Sequence, residues 1–329
     1  MMDAAWTDQP RRPAGRRLVA IAGSLALVLA ALSLPPGARA AGGPARPVPG
    51  TSCDVFPANN VWHTDVSSLP LHPQGAEWLD SMQAGTTELH PDFGPPDYGI
   101  PYNVVTNATP KVDVKFRYAR ESDRRRYPLT KRTPIEGGSD RHALMVNRDS
   151  CTLYELFAVR WKGGHPTAGS GAIFKLGSNE LRPDGYTSAD AAGLPILAGL
   201  LRYDEVESGF VDHAIRFTAE LTRDEHVWPA RHHAGSPNDS YPPMGARFRL
   251  DGDYDISGYS PNAQVILQAM KTYGMILADN GSNWYFQGTV DDRWRNSLLD
   301  QLKEVPASAF EAIDESSCSL DSDSAASAC

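Results

Sequence analysis

Apolar and polar residues alternate along short stretches of this chain, and dense turn signals separate the stretches. Residues 112–118 set Val112, Val114 and Phe116 against Asp113, Lys115 and Arg117. Residues 245–250 set Ala246, Phe248 and Leu250 against Arg247 and Arg249. A period of two marks a half-buried strand. Further strands are predicted at 142–147, 152–159, 171–176 and 211–219. Met275-Ile276-Leu277-Ala278 is continuously apolar and short, as suits a central strand covered on both faces. A strand at 283–287 would follow a hairpin turn at Asp279-Asn280-Gly281, since Asn-Gly favours such turns.

Helices are fewer. Ala263, Val265, Ile266, Leu267 and Met270 follow Ser260-Pro261, which predicts a helix capped at Ser260 and stopped by Gly274. Stretches 75–82 and 291–302 are the other helical candidates. Short strands with few helices between them predict a mostly-β chain, a β-sandwich or jelly-roll-like domain with peripheral helices. An α+β layered domain is the alternative.

The two ends differ from the middle. Arg11, Arg12, Arg16 and Arg17 precede the apolar run 18–34, and Pro35-Pro36-Gly37 breaks it before Ala38-Arg39-Ala40. That order predicts a signal peptide over 1–40, cleaved near Ala40, and a secreted product. Residues 41–50 read as a flexible lead-in, 51–314 as a single β-rich domain and 315–329 as a disordered C-terminal tail. The whole chain holds 31 basic and 40 acidic residues, and its first forty contain five arginines and two aspartates. An exported form is therefore more acidic still, which opposes nucleic acid and anionic membranes as partners.

The four cysteines all lie after residue 40, an even count that suits an oxidising compartment. Three connectivities are open, of which Cys53–Cys151 with Cys318–Cys329 is favoured. No C-x-x-C occurs, so a zinc site is not expected. Three histidines in 226–233 lack metal-ligand spacing, and neither metal nor cofactor is predicted.

No hydrolase elbow, metalloprotease helix, P-loop or dinucleotide fingerprint is present. What the chain offers is polar residues set in apolar strand rows. Joining 142–147 to 152–159 as a hairpin pairs Val146 with Leu153, Leu144 with Glu155 and His142 with Phe157. His142 and Glu155 then become diagonal neighbours, about 7–8 Å apart at the backbone. Desolvation would raise the glutamate's pKa toward that of a general acid, whereas a structural Glu would be held by an Arg or by backbone amides. Asp140 sits at the mouth of this hairpin. His213 interrupts the row Val211, Ile215, Phe217, with Asp212, Arg216 and Thr218 facing away. Glu155, His142 and His213 are expected to converge on one cavity. Arg231 and His232 follow a strand, where loops carry function. Asp279, Asn280, Trp284 and Trp228 combine carboxylate, amide and aromatic groups suited to holding a sugar.

The segments LRPDGYTSADAAGLPILAGLLRYDEV, DHAIRFTAELTRDEHVWPARHHAG, PPMGARFRL and KTYGMILADNGSNWYFQG resemble a family of secreted bacterial proteins to which no activity is attached. The resemblance implies one coherent domain and export, and it transfers no catalytic residue. The residues themselves lead to a secreted glycan-active enzyme. It would be a polysaccharide hydrolase or lyase built on Glu155 with His partners, acting on a polysaccharide or cell-wall glycan. A non-catalytic carbohydrate-binding module is the alternative.

Overall fold

The computed structural model describes residues 47–94 and 98–329; the predicted signal peptide and most of the lead-in lie outside them. Strand makes up 27% and helix 16% of the chain, in a curled multi-sheet arrangement, which decides for the mostly-β sandwich-like reading over a layered α+β domain.

The larger sheet has six strands, in the order His90–Pro91, Tyr285–Phe286, Ile215–Ala219, Met275–Asn280, Arg247–Leu250 and Phe310–Ile313. Met275–Ala278 is fully buried, as its unbroken apolar run requires. Beside it, all five residues of Ile215–Ala219 are buried. A sheet covered on both faces has no solvent side on which to place Arg216 or Thr218, and the site follows from this. The helix Pro261–Thr272 buries Ala263, Ile266, Leu267 and Met270 along one stripe. Ser260 occupies its N-cap, although the side chain makes no cap bond. The chain leaves the helix through Gly274, at φ +68, where a Cβ would meet the Phe248 carbonyl oxygen at 2.6 Å.

A four-stranded sheet, Gly171–Lys175, Thr152–Leu156, Ala143–Asn147 and Tyr102–Val105, carries the predicted hairpin. Val146 pairs with Leu153 and Leu144 with Glu155, the register read from the sequence. Ala143–Asn147 is buried on both faces. Leu144 and Val146 join the main core, while Ala143 and Met145 face a smaller core with Phe116 and Tyr127.

Two strand expectations change. Residues 112–118 are not one strand: Val112–Asp113 pairs with Arg126–Tyr127, and Lys115–Phe116 pairs with His165–Ala168. The alternation is kept, but the partners switch. Nor does Asp279-Asn280-Gly281 make a hairpin, because Ile215–Ala219 lies between Met275–Asn280 and Tyr285–Phe286. The connection arches over the end of that strand, with the Gly281 amide on the Ala219 carbonyl at 3.0 Å and the Trp284 amide on Thr218 at 3.1 Å.

Cys53–Cys151 and Cys318–Cys329 are both bonded, which places the chain in an oxidising setting. No helix among the described residues is long and apolar enough to cross a membrane. The tail 315–329, expected to be disordered, is instead packed. The Val61 amide bonds the Ala325 carbonyl at 2.8 Å, the Ala325 amide bonds Asn179 at 2.7 Å and the Ser327 amide bonds Asn59 at 2.8 Å. A polar composition argues against an apolar core but says nothing about backbone pairing with a neighbouring segment, and that pairing holds the tail. The lead-in is likewise tied at its described end, where Pro47 bridges Asp54 and Val48 is buried.

Candidate functional site

The site starts from an irregularity in the larger sheet. Arg216 pairs with Ile276 and Phe217 with Leu277, but Thr218 pairs with Asp279, so Ala278 is an extra residue on its strand. A bulge reverses the side-chain alternation beyond it. Without the bulge Asp279 would share the face of Phe217, which packs on Trp284 and Phe248. With it, Asp279 lies on the face of Arg216 and Thr218.

Over that face folds the segment Thr187–Leu194. The Thr187 hydroxyl donates to the Asp190 carbonyl at 3.0 Å and the Asp190 amide donates to the Ser188 hydroxyl at 2.9 Å. The Ala192 amide is fastened to the bulged Ala278 carbonyl at 2.8 Å. This turn holds Asp190, 1% exposed, against Arg216. Nε and Nη2 of the guanidinium reach the two carboxylate oxygens at 3.1 and 3.0 Å, and Nη1 donates to Gln287. Such a fork is the strongest ordinary form of ion pair. Burial disfavours the charge on Arg216, but Asp190 outweighs it and keeps the guanidinium's pKa raised.

Asp279 stands 3.8 Å from the same guanidinium and behaves differently. Burial first, and then the neighbouring Asp190 carboxylate, push its pKa well above the usual carboxylate range, with Arg216 opposing. Neighbouring carboxyl groups disfavour each other's charge. Asp190 takes the fork of Arg216, and its nearness favours the protonated form of Asp279. One carboxyl is thus buried in a guanidinium fork, while the other is 27% exposed at its side chain.

A second pair, with its histidine buried, braces the turn. His142 Nδ1 lies 2.6 Å from Glu136 Oε2, and Nε2 lies 3.2 Å from the carbonyl of Ala189, the residue before Asp190. Burial disfavours the imidazolium, but Glu136 overcomes it and raises the pKa. Both ring nitrogens thus face an oxygen acceptor, an arrangement that suits the imidazolium. Glu155 is fully buried, and its oxygens accept the backbone amides of Ile196 and Leu197, each at 2.9 Å. The glutamate is therefore held by backbone amides, the structural arrangement weighed in the sequence, and it braces the chain just beyond Asp190.

These elements frame a cleft of about 380 Å³. Asp140, Asp190, Asp279 and Glu121 line it, together with Tyr118, Phe157, Ser188, His232 and Asn280. His232 Nδ1 donates to the Ala191 carbonyl, 2.8 Å away, and Asn280 donates to Thr222 at 2.9 Å. Of the residues singled out in the sequence, Asp140, His232, Asp279 and Asn280 thus meet in one place.

The others do not. The expected union of Glu155, His142 and His213 is not formed: His213 belongs to a separate buried cluster, 3.2 Å from Glu205 and 2.7 Å from the Ala214 carbonyl, with Arg202 paired to the same glutamate. Arg231 binds the Ser322 carbonyl at 2.6 Å and Asp323 at 2.7 Å, and Trp228 donates to the Ser324 carbonyl at 2.8 Å. Both clasp the tail rather than line the cleft. Trp284 is fully buried and donates to the Met82 carbonyl at 3.0 Å, so it is a core residue and not a sugar platform. Among the described residues no group of three or more His, Cys, Asp or Glu is arranged to hold a metal ion.

Sequence reasoning missed Asp190, Arg216, Glu136 and Gln287. A usable signal for Arg216 was present. A partner strand as apolar as Met275–Ala278 is covered on both faces, so a polar residue beside it must be buried and paired. Asp190, in a loop without periodicity, carried no such mark.

Burial raises the Glu155 pKa from its ordinary 4.5 to about 7, with the two amides and His142 opposing and Asp190 reinforcing. A raised folded-state pKa means that the folded chain keeps its proton longer than the unfolded chain. The stabilisation is complete below 4.5 and is lost as pH rises to about 7, on the order of 3 kcal/mol in all. Glu155→Gln cannot titrate, so its unfolding free energy should lack that decline when guanidinium melts at about pH 4.5 and pH 8 are compared. Parallel losses in both proteins would show that this proton is not linked to folding.

No family model matches this chain, and no curated protein or solved structure matches it either.

Proposed function

We propose that the chain is a glycan hydrolase exported to the extracellular space, with Asp279 as its general acid and the Asp190 carboxylate as the group that keeps that acid protonated. The observation that carries this reading is the unlike setting of two neighbouring carboxyls: Asp190 is buried in the fork of Arg216, while Asp279, its pKa raised, reaches the wall of an open cleft. Pairs of acids driven apart in this way mark acid–base assignments. Asp140 supplies a further carboxylate on the lining, suited to activate water or to stabilise a developing oxocarbenium ion.

Charge favours hydrolysis over a lyase reaction. Cleaving a uronate by elimination needs a cation to neutralise the substrate's carboxylate. The described lining contains four acids and neither lysine nor arginine. A neutral sugar suits such a cleft and an acidic one does not. Enzyme ranks above binding module because a buried carboxylate with its buried cation, set beside a second acid, is costly to assemble, and holding a sugar without turnover requires neither.

The test is reducing-end release from neutral polysaccharides and from polyuronates by the purified protein. Hydrolysis of a neutral glycan is expected, with a bell-shaped pH profile. The alkaline limb falls as Asp279 loses its proton above its raised pKa, and the acid limb falls as the partner carboxylates are protonated. Turnover of polyuronates alone, with unsaturated products, would replace this reading with a lyase.

A further inference from the structure

Charge is spread unevenly along this chain. Residues 111–132 hold nine basic and three acidic residues, a surplus of six in a chain whose net charge is −9. Of the nine, all but Lys111 are exposed. Among the described residues none of these eight forms an ion pair, and two of the three local acids are engaged from outside the segment. Asp123 holds Arg182 at 2.5 Å, and Glu121 stands 3.7 Å from His232. The third, Asp113, lies opposite Arg126 on the paired strand.

The fold turns these cations outward. Phe116, Tyr127 and Leu129 of the segment are buried in the smaller core, which leaves the basic residues between them on the solvent side. Lys115 and Arg160 pair with Thr167 from either side. Paired residues share a face of a sheet, so the two cations stand on one face, about 10 Å apart at the backbone. Lys162, two residues beyond Arg160, joins them by the period of the strand. All three are exposed, while Phe116 and Ala168 on the other face close the core. Arg124-Arg125-Arg126 continues the same surface into the neighbouring strand pair.

We infer that residues 111–132, with Arg160 and Lys162, form a docking surface for an acidic polysaccharide, a chain that bears carboxylate or sulfate groups. Clustered cations without neighbouring acids to neutralise them bind a polyanion by releasing its counterions. The negative charge of the whole chain does not oppose this at contact, because salt of ~0.1 M screens charges more than about 10 Å apart. Three observations choose a polysaccharide among polyanions. Single-stranded nucleic acid needs free aromatic faces for its bases, whereas Tyr118, the exposed aromatic of the segment, has the Arg117 guanidinium over its ring at 5.1 Å. Docking on a membrane adds exposed apolar side chains to the cations, and beyond that tyrosine the segment exposes no large one. The two disulfides place the chain in an oxidising setting, away from the anionic cytoplasmic leaflet. The surface adjoins the cleft through Tyr118 and Glu121, but it grips without reacting, so it stands or falls apart from the hydrolase reading.

The experiment titrates the purified chain by calorimetry with polygalacturonate, heparin, duplex DNA and phosphatidylglycerol vesicles, in about 50 mM salt. It repeats this with two triple variants, Arg124→Gln/Arg125→Gln/Arg126→Gln and Lys115→Gln/Arg160→Gln/Lys162→Gln. A control triple, Arg148→Gln/Lys175→Gln/Lys303→Gln, removes the same charge from exposed cations elsewhere. Each variant is first checked by its unfolding curve. At least one polysaccharide should bind, more weakly as salt rises, and each triple on the surface should lower that affinity at least about tenfold, against less than about twofold for the control. Equal losses in all three triples would trace binding to net charge alone and overturn the surface. Binding of neither polysaccharide, no loss in either surface triple, or tighter binding of DNA or vesicles than of both polysaccharides overturns it too.

Discussion

Asp279→Asn should lower turnover of the responsive polysaccharide about 10²–10⁴-fold, the usual worth of a positioned general acid, while leaving folding stability within about 0.5 kcal/mol. The second half of that expectation comes from the proton. The raised pKa of Asp279 favours its neutral form, and Asp190 is among the groups that favour it. An amide has the same shape and is neutral as well, so the variant loses a transferable proton and little else. The measurement pairs initial rates of reducing-end release with a denaturant melt. A variant that retains more than about a tenth of the wild-type rate would remove Asp279 from the acid's role, because a hundredfold loss is the least this role predicts. The residual activity should also lose its alkaline limb, since the group that titrates there is gone.

Arg216→Met should cost about 3–5 kcal/mol, the penalty for removing one partner of a buried ion pair, and should silence the site as well. Methionine fills much of the volume but leaves the Asp190 carboxylate, 1% exposed, without its cation and Gln287 without its donor. The deficit should shrink as pH falls. What burial penalises is the charge left without a partner, and acid removes that charge, so the penalty grows as pH rises. Arg216→Lys separates charge from geometry, since it keeps a cation and loses the fork. Urea melts of the three proteins at two pH values check this, and a pH-independent loss would show that shape rather than charge governs the site.

Much of this architecture is written in local pattern. Parity limits the 143–156 hairpin to registers that put both apolar rows on the same side, and the one that pairs Val146 with Leu153 is formed. The central strand was visible in four consecutive apolar residues, and Cys53–Cys151 was favoured from where the two cysteines stand, one opening the ordered chain and the other a strand. The site was less legible. Alternation reports which residues share a face but not whether that face meets water. Alternation accordingly sets Arg216 outward, although the strand is covered on both sides. It also places His213 in a strand row, yet the strand begins at Ile215 and the histidine serves a neighbouring ion cluster. Trp284 beside Asn283 looks like a sugar platform in the sequence, and only its place among Phe217, Phe248 and Phe310 shows otherwise. Glu155 was found as an exception in an apolar row, but its partners are backbone amides, which have no sequence signature.

The extra residue at Ala278 makes the chemistry of this protein a matter of counting as well as of identity. Every side chain from Met275 to Leu277 can be exchanged for another apolar one without moving the acid, because none of these changes alters the parity of the strand. Deleting one residue there does alter it: the carboxyl group would swing through the sheet into the stack of Trp284 and Phe217 while the composition of the strand hardly changed. Substitution scans would therefore judge this strand permissive. A scan of single-residue deletions would find in it the least tolerant point of the chain, and any relative lacking that residue would keep the fold's outline without its acid.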